Sequence, residues 1–356
     1  MGKTILVSRQ ITGHLCAVPA TAIANSLVAW FHKNGRDYPW RRTIDPYAIL
    51  VSEVMLQQTQ IATVLDGGYY KRWLDQFPDF ATLAVASEAD VLRAWEGLGY
   101  YRRARNLQRL AQTVMVAHAG TFPRAPDAIR ALPGIGPYTA GAVASFAFGL
   151  PEPIVDGNVA RVLSRLDNNA TPIDSTTGKK RLWDRATELV RATHDPRSLN
   201  SALMELGQTL CKTGKPACAE CPVLRHCSAT DASSLPVKNS RAVITPVTER
   251  VFFLRTDAGV LLERETGSRR TGLWKLPALP EAHHDRPPPI LLKSTYGITR
   301  YKVTLWVHGT PPDSVADWPE THHLIALRDL PAAAMPSPYR RALNRLLEAS
   351  DFSLVA

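Results

Sequence analysis

The apolar residues of this chain follow one rhythm in its first two thirds and another in its last third. From about residue 21 to residue 209 they recur at helical spacing, with no convincing alternating strand, which predicts an all-α region. A first amphipathic helix is expected over residues 21–32. Asp45-Pro46 has the form of a helix start, with Asp as N-cap and Pro in the first turn, and a long helix is expected over 47–65. Helical patterning continues over 69–119, 139–150 and 158–166, and in two further helices within 171–209. The run TAGAVASFAFGL (139–150) is too apolar and too small-residued for a surface helix, so it is expected to be buried. Just before it, LPGIGPY (132–138) predicts a tight turn between two short helices, a helix-hairpin-helix over about 126–146. Gly134 and Gly136 are expected there to allow φ > 0 and close backbone approach.

Beyond a polar stretch with Ser and Pro, read as a linker, the rhythm turns to strands at 248–255, 259–263 and 302–308. An aromatic turn (271–277), a stiff connector from Pro287 and a last helix (338–348) complete this part. The expected organisation is multidomain: an N-terminal extension (1–20), an all-α domain (21–229), a linker (230–245) and a separate α+β domain (246–356) of a size that folds alone.

Composition narrows the class. The chain is 45% apolar and 21% charged over 356 residues, as in soluble globular proteins of about two domains, and no apolar run approaches the length of a membrane span. Arg9, Gln10 and His14 interrupt the first apolar patch, which argues against a secretory signal. The net charge is +10, and residues 1–230 carry 26 Lys and Arg against 19 Asp and Glu, so the helical part holds most of the excess. Such a surface is compatible with a polyanionic partner. Cys16 stands alone, whereas Cys211, Cys218, Cys221 and Cys227 crowd into one short loop, which argues for a metal site in a reducing compartment.

Several stretches carry candidate chemistry. Glu53 is a carboxyl among Leu50, Val51, Val54 and Met55. It lies either on a solvated stripe or in an apolar site that raises its pKa for acid catalysis. Gln57, Gln58, Thr59 and Gln60 beside it can hydrogen-bond base edges. Arg41 and Arg42 are either a solvated pair or groups aimed at phosphate or base. GLGYYRRAR (97–105) combines glycines, two tyrosines and three arginines, as an aromatic wedge entering a duplex requires, or forms a helix end with a solvated arginine face. The glycine hairpin is a structural turn or a phosphate cradle at a helix N-terminus, and Asp156 follows the buried run as a lone acid. Four cysteines spaced C-x6-C-x2-C-x5-C suit either a [4Fe–4S] cluster or a tetrahedral zinc.

Together SEVMLQQTQ, GLGYYRRARN, LPGIGPYTAGA, VDGNVARVL and the four-cysteine loop resemble the adenine DNA glycosylases of the MutY type, within the helix-hairpin-helix glycosylase superfamily. The resemblance covers about residues 24–229. It continues more weakly through GLWKLP and the strands, which look like that family's Nudix-like recognition domain. It implies an iron–sulfur enzyme that hydrolyses the N-glycosidic bond of adenine mispaired with 8-oxoguanine or guanine in double-stranded DNA. Glu53 matches the catalytic acid and Asp156 the carboxylate that stabilises the sugar cation, with Tyr138 and Asn158 in support. Arg41 matches an adenine contact, Gln58 and Tyr100 match wedges, and Gln57, Thr59, Gly134 and Gly136 fall among the DNA-contacting positions. The [4Fe–4S] ligands would be the four clustered cysteines.

Related bifunctional enzymes carry a nucleophilic Lys where this chain has Tyr138, and no Lys occurs from residue 72 to 177, so a monofunctional hydrolase is expected. Three departures stand out. Ser201 follows Asn200 where many members place Glu or Gln on adenine. Ile298-Thr299-Arg300 aligns with the Phe-Ser-His loop that reads 8-oxoguanine. The glutamate-rich Nudix signature is missing after Leu276-Pro277, so this region is not expected to hydrolyse nucleotides. A monomer in the bacterial cytoplasm, associated with the nucleoid and free of membrane, is expected. The rival readings are a thymine or uracil mismatch glycosylase of the same superfamily and a non-catalytic mismatch-DNA-binding protein.

Overall fold

The computed structural model describes residues 19–239, 243–267, 270–311 and 318–352. Cys16 and almost all of the expected N-terminal extension lie outside them. The helices are α1 (Ala20–Asn34), α2 (Pro46–Leu56), α3 (Ile61–Asp66), α4 (Tyr69–Gln76), α5 (Phe80–Val85), α6 (Glu88–Ala94) and α7 (Arg102–Ala117). They continue with α8 (Pro126–Arg130), α9 (Pro137–Phe148), α10 (Gly157–Leu166), α11 (Thr176–Arg191), α12 (Pro196–Thr209) and, after the strands, α13 (Ser337–Phe352). No helix among the described residues is long and apolar enough to cross a membrane.

The strands are β1 (Thr245–Phe252), β2 (Arg255–Thr256), β3 (Gly259–Arg264), β4 (Trp274–Lys275), β5 (Ile290–Ile298), β6 (Tyr301–His308) and β7 (His322–Ile325). In one sheet β6 is central, parallel to β1 and antiparallel to β5. In the other, β3 pairs antiparallel with β2, β4 and β7. One expectation is corrected here, and one strand comes without any expectation. The stretch after Pro287 is the nine-residue strand β5 rather than a connector; its register slips between Ile290 and Leu292, which blurs the alternation. Strand β7, His-His-Leu-Ile, has no apolar period and owes its strand form to the ladder with β3.

The chain forms two compact units that do not follow its linear order. One comprises Met1–Asp37 with Gly149–Asn239, the other Tyr38–Phe148 with Ser240–Ala356. In the first, α12 packs on α1 and α10. The stretch expected as a free linker is tied down there up to Asn239, because Ile173 N–H donates to Val237 O and Asn239 N–H to the Asp174 carboxylate.

In the second unit, α2 starts as the sequence predicts: Asp45 accepts from Tyr47 N–H and Ala48 N–H, and Pro46 needs no donor. Its buried run extends from Tyr47 to Met55. The strand-bearing part has its own core of Val251, Val260, Leu262, Leu305, Met335 and Leu343. It also bonds to the helices of its unit. Arg340 Nε, on α13, donates to Glu96 at 2.7 Å, and Tyr101 Oη donates to Met335 O at 2.9 Å.

Candidate active site

Glu53 lies in the middle of α2 with only 5% of its surface exposed, so the buried reading replaces the solvated stripe. Ser52 beside it is fully buried and returns its hydroxyl to Ile49 O. The expected continuous helix over 47–65 is broken after Leu56 and resumes at Ile61, and the polar group Gln57–Gln60 forms the break. Within it Gln58 is exposed and adopts φ +59°, while Gln57 Nε2 donates to Thr139 Oγ1 at 3.3 Å, linking the end of α2 to the first turn of α9.

Arg103 explains the break. Its guanidinium donates to Val54, Met55 and Gln57 carbonyls at 2.5–3.0 Å, to Thr59 Oγ1, and to Leu98 and Gly99 carbonyls in the glycine turn. These bonds occupy the carbonyls at the end of α2 that a helix leaves open. Burial lowers its pKa to about 10, partly countered by Tyr100, so the group is cationic at neutral pH. The sequence reading counted three phosphate-ready arginines in this motif, and only Arg102 remains fully exposed. Arg103 is committed to the carbonyls, and Arg105 pairs with Glu88 and bonds Thr271 O. Tyr100 stands at the turn with 44% exposure and φ +48°. Arg41 lies over the Tyr38 ring at 4.8 Å, and Trp40 is buried in the core.

The hairpin lies in the same unit, between α8 and α9. Gly134 has φ +77°, and a Cβ there would meet Asn106 Cβ at 2.7 Å and Nδ2 at 2.8 Å. Gly136 does not have the left-handed backbone expected of it, and nothing lies within 4 Å of its Cβ position. The two glycines therefore differ in function. Gly134→Ala is expected to lower stability in urea unfolding by about 1–2 kcal/mol, and Gly136→Ala by less than about 0.5 kcal/mol. Equal losses would contradict this assignment. Helix α9 buries Thr139 to Ser145 and packs on α2, while Tyr138 in its first turn stays half exposed. In the strand-bearing part, Thr299 and Arg300 form the two-residue connection of the β5–β6 hairpin. Thr299 is exposed with φ +52°, and Arg300 lies over the Tyr301 ring at 5.2 Å.

Asp156 belongs to the other unit, as N-cap of α10. One carboxylate oxygen accepts from Asn158 N–H at 2.9 Å and Val159 N–H at 2.7 Å; the other accepts from Asn158 Nδ2 at 2.9 Å. The carboxylate thus stands half exposed at the N-terminus of α10. Asn158 Oδ1 in turn accepts from Arg161 Nη2 at 2.9 Å, and Arg161 also donates to Gly207 O and Cys211 O at 2.7 Å. Burial lowers the Arg161 pKa. A chain of hydrogen bonds therefore runs from the carboxylate to the cysteine loop. The sequence reading missed Arg161, whose only signal was a charge on the inward side of an amphipathic helix. Ser201 and Asn200 are both buried on α12, and Asn200 Nδ2 donates to Glu152 O.

The four cysteines share one loop of this unit. Arg165 donates to Cys211 Sγ at 3.3 Å, and the Cys221 thiol is pushed up to about 11, first by burial and further by Cys211, Cys227 and Cys218. Four thiols within one loop are a donor set that fits a centre held by thiolates. Among the described residues no three His, Cys, Asp or Glu side chains stand together as a metal centre. Cys218 is exposed on a short turn while Cys211 is held by Arg165.

Comparison with known proteins places this framework. Residues 51–186 match the model of the HhH-GPD superfamily of base excision DNA repair proteins. An adenine DNA glycosylase of Buchnera aphidicola is 33% identical over 250 residues, 69% of this chain and 70% of that protein. One from Mycolicibacterium smegmatis is 40% identical over 202 residues, covering 56% and 67%. The human adenine DNA glycosylase is 44% identical over 218 residues, 59% of this chain, and the chain spans only 39% of its length. Among solved structures, a thermostable thymine-DNA glycosylase superposes with TM-score 0.53 at 30% identity, covering 59% of this chain and 95% of that one.

Proposed function

Because the chain belongs to the adenine DNA glycosylase family of the helix-hairpin-helix superfamily, we propose that it hydrolyses the N-glycosidic bond of adenine mispaired with 8-oxoguanine or guanine in duplex DNA. The observation that carries this reading is Glu53, a carboxyl group buried in the helix that leads into Gln57–Gln60. Burial disfavours the anion of such a group and favours an acid able to give up a proton. Adenine leaves poorly until a ring nitrogen is protonated. Glu53 supplies that proton, the C1′–N9 bond breaks with its electron pair going to the base, and Asp156 supports the oxocarbenium-like sugar until water adds at C1′. As its oxygen bonds C1′ the water gives up one proton and keeps the other in the new hydroxyl, and the proton released offsets the one that Glu53 gave to the base. Flipping the nucleotide out of the stack brings the base to the acid.

Arg41 is assigned to the adenine and Tyr138 and Asn158 to support of the sugar site. Gln57, Gln58, Thr59 and Tyr100 are assigned to the bases around the flipped nucleotide, and Gly134 and Gly136 to the phosphate backbone. Thr299 and Arg300 occupy a hairpin tip suited to contacting the base opposite adenine, in a region read as Nudix-like. Cys211, Cys218, Cys221 and Cys227 would hold a [4Fe–4S] cluster, whose contribution when bound is to cross-link the loop that Arg161 joins to Asn158.

The similarity to a thymine-DNA glycosylase favours thymine opposite guanine as a second substrate class. The identity to adenine-specific relatives, with Glu53 in place, favours adenine. Product analysis tests the proposal: free adenine and an unbroken strand bearing an abasic site are expected. No lysine is present from residue 72 to 177, so borohydride is expected to trap no more enzyme on DNA than in a reaction without mispair. Thymine as the sole released base, or strong trapping, would overturn it.

A further inference from the structure

Two residues assigned above to the duplex share an uncommon backbone. Gln58 (φ +59°) and Tyr100 (φ +48°) are left-handed without being glycine, and each sits exposed at the tip of its turn. The carbonyl immediately before each one, Gln57 O and Gly99 O, accepts from the same guanidinium, that of Arg103, at 2.5 and 3.2 Å. The same group bonds Leu98 O and Met55 O, and lies over the Trp95 and Tyr100 rings at 5.3 and 5.5 Å. These bonds use its two terminal nitrogens, and the buried Nε has no partner, so the side chain is committed to spanning the two turns at the expense of one of its own donors.

We propose that Arg103 is a positioning residue: it clamps the Gln57–Gln60 and Gly97–Tyr101 turns together, so that Gln58 and Tyr100 are held as a preformed pair for insertion into the duplex. This rests on the glycosylase reading, in which those two side chains displace stacked bases. A lysine ammonium is a single point of donors and cannot span both turns as the planar fork does.

The test compares the unaltered full chain with Arg103→Lys under single turnover, on a duplex with adenine opposite 8-oxoguanine and on one whose adenine faces an abasic gap, where no opposing base need be displaced. The Lys variant is expected to slow adenine release roughly 100-fold on the paired duplex, the size of loss that follows a misplacement of about 1 Å, and by less than about 3-fold on the gapped one. Equal slowing on both duplexes, or none on either, overturns the proposal. Failure of the unaltered chain to release adenine from either duplex would instead overturn the glycosylase reading and the duplex part of the proposal with it. Backbone order parameters of the free chain test the clamp independently of activity and of whether the variant folds. Values near about 0.85 are expected in residues 57–60 and 97–101, and values below about 0.6 there overturn the clamp.

Discussion

Glu53→Gln is expected to lower single-turnover adenine release by about 10²–10⁴-fold, the range that loss of a general acid produces. The substitution keeps the shape of the side chain and its capacity to hydrogen-bond, and removes only the acidic proton. Because Glu53 is 5% exposed within the buried run of α2, a smaller or charged replacement would confound chemistry with packing. Affinity for mispaired duplex is expected to stay within a few-fold, and thermal stability to change little. A non-catalytic binding protein would show no change in any activity. A Gln variant that released adenine at the unaltered rate would place the acid elsewhere.

The second large effect is expected at Asp156→Asn, in both rate and stability. The amide oxygen can still accept from Asn158 N–H and Val159 N–H, but its NH₂ then faces Asn158 Nδ2, donor against donor. Asn158 cannot relieve this by turning its amide, because its oxygen is engaged by Arg161 Nη2. One part-buried bond to a charged group is lost, at a cost of about 1–3 kcal/mol, and loss of the anion lowers the rate by about 10²–10³-fold. Adding Asn158→Asp separates the two effects. In the exchanged pair the amide at 156 donates to the carboxylate at 158, which still accepts from Arg161, so the unfolding midpoint recovers, while the charge stands two residues away and the rate stays low. Recovery of both would mean that Asp156 acts only as a helix cap.

The helical layout was legible because its signals are local. Asp45-Pro46, the buried 139–150 run and the glycine hairpin each determine an element within a few residues, and α2, α9 and the turn at Gly134 follow. The candidate chemistry was half legible: Glu53 stood out as a charge in an apolar run, and Asp156 as a lone acid after one, although its place as the N-cap of α10 did not. The arginines were not legible, since a charge that satisfies carbonyls across a fold looks the same in sequence as one that meets solvent or phosphate. Arg103, Arg161 and Arg340 all belong to the first kind. Non-local pairing also hid β5 and β7, and it hid the grouping of Tyr38–Phe148 with the strand-bearing part.

The central claim is that a buried acid on α2 drives adenine hydrolysis from a mispair. It is tested most directly by single-turnover release of free base from duplexes carrying adenine opposite 8-oxoguanine, guanine or cytosine, with thymine opposite guanine as competitor. The account predicts free adenine from the first two and loss of that release in Glu53→Gln. No adenine from any duplex, or release that survives the substitution, would contradict it.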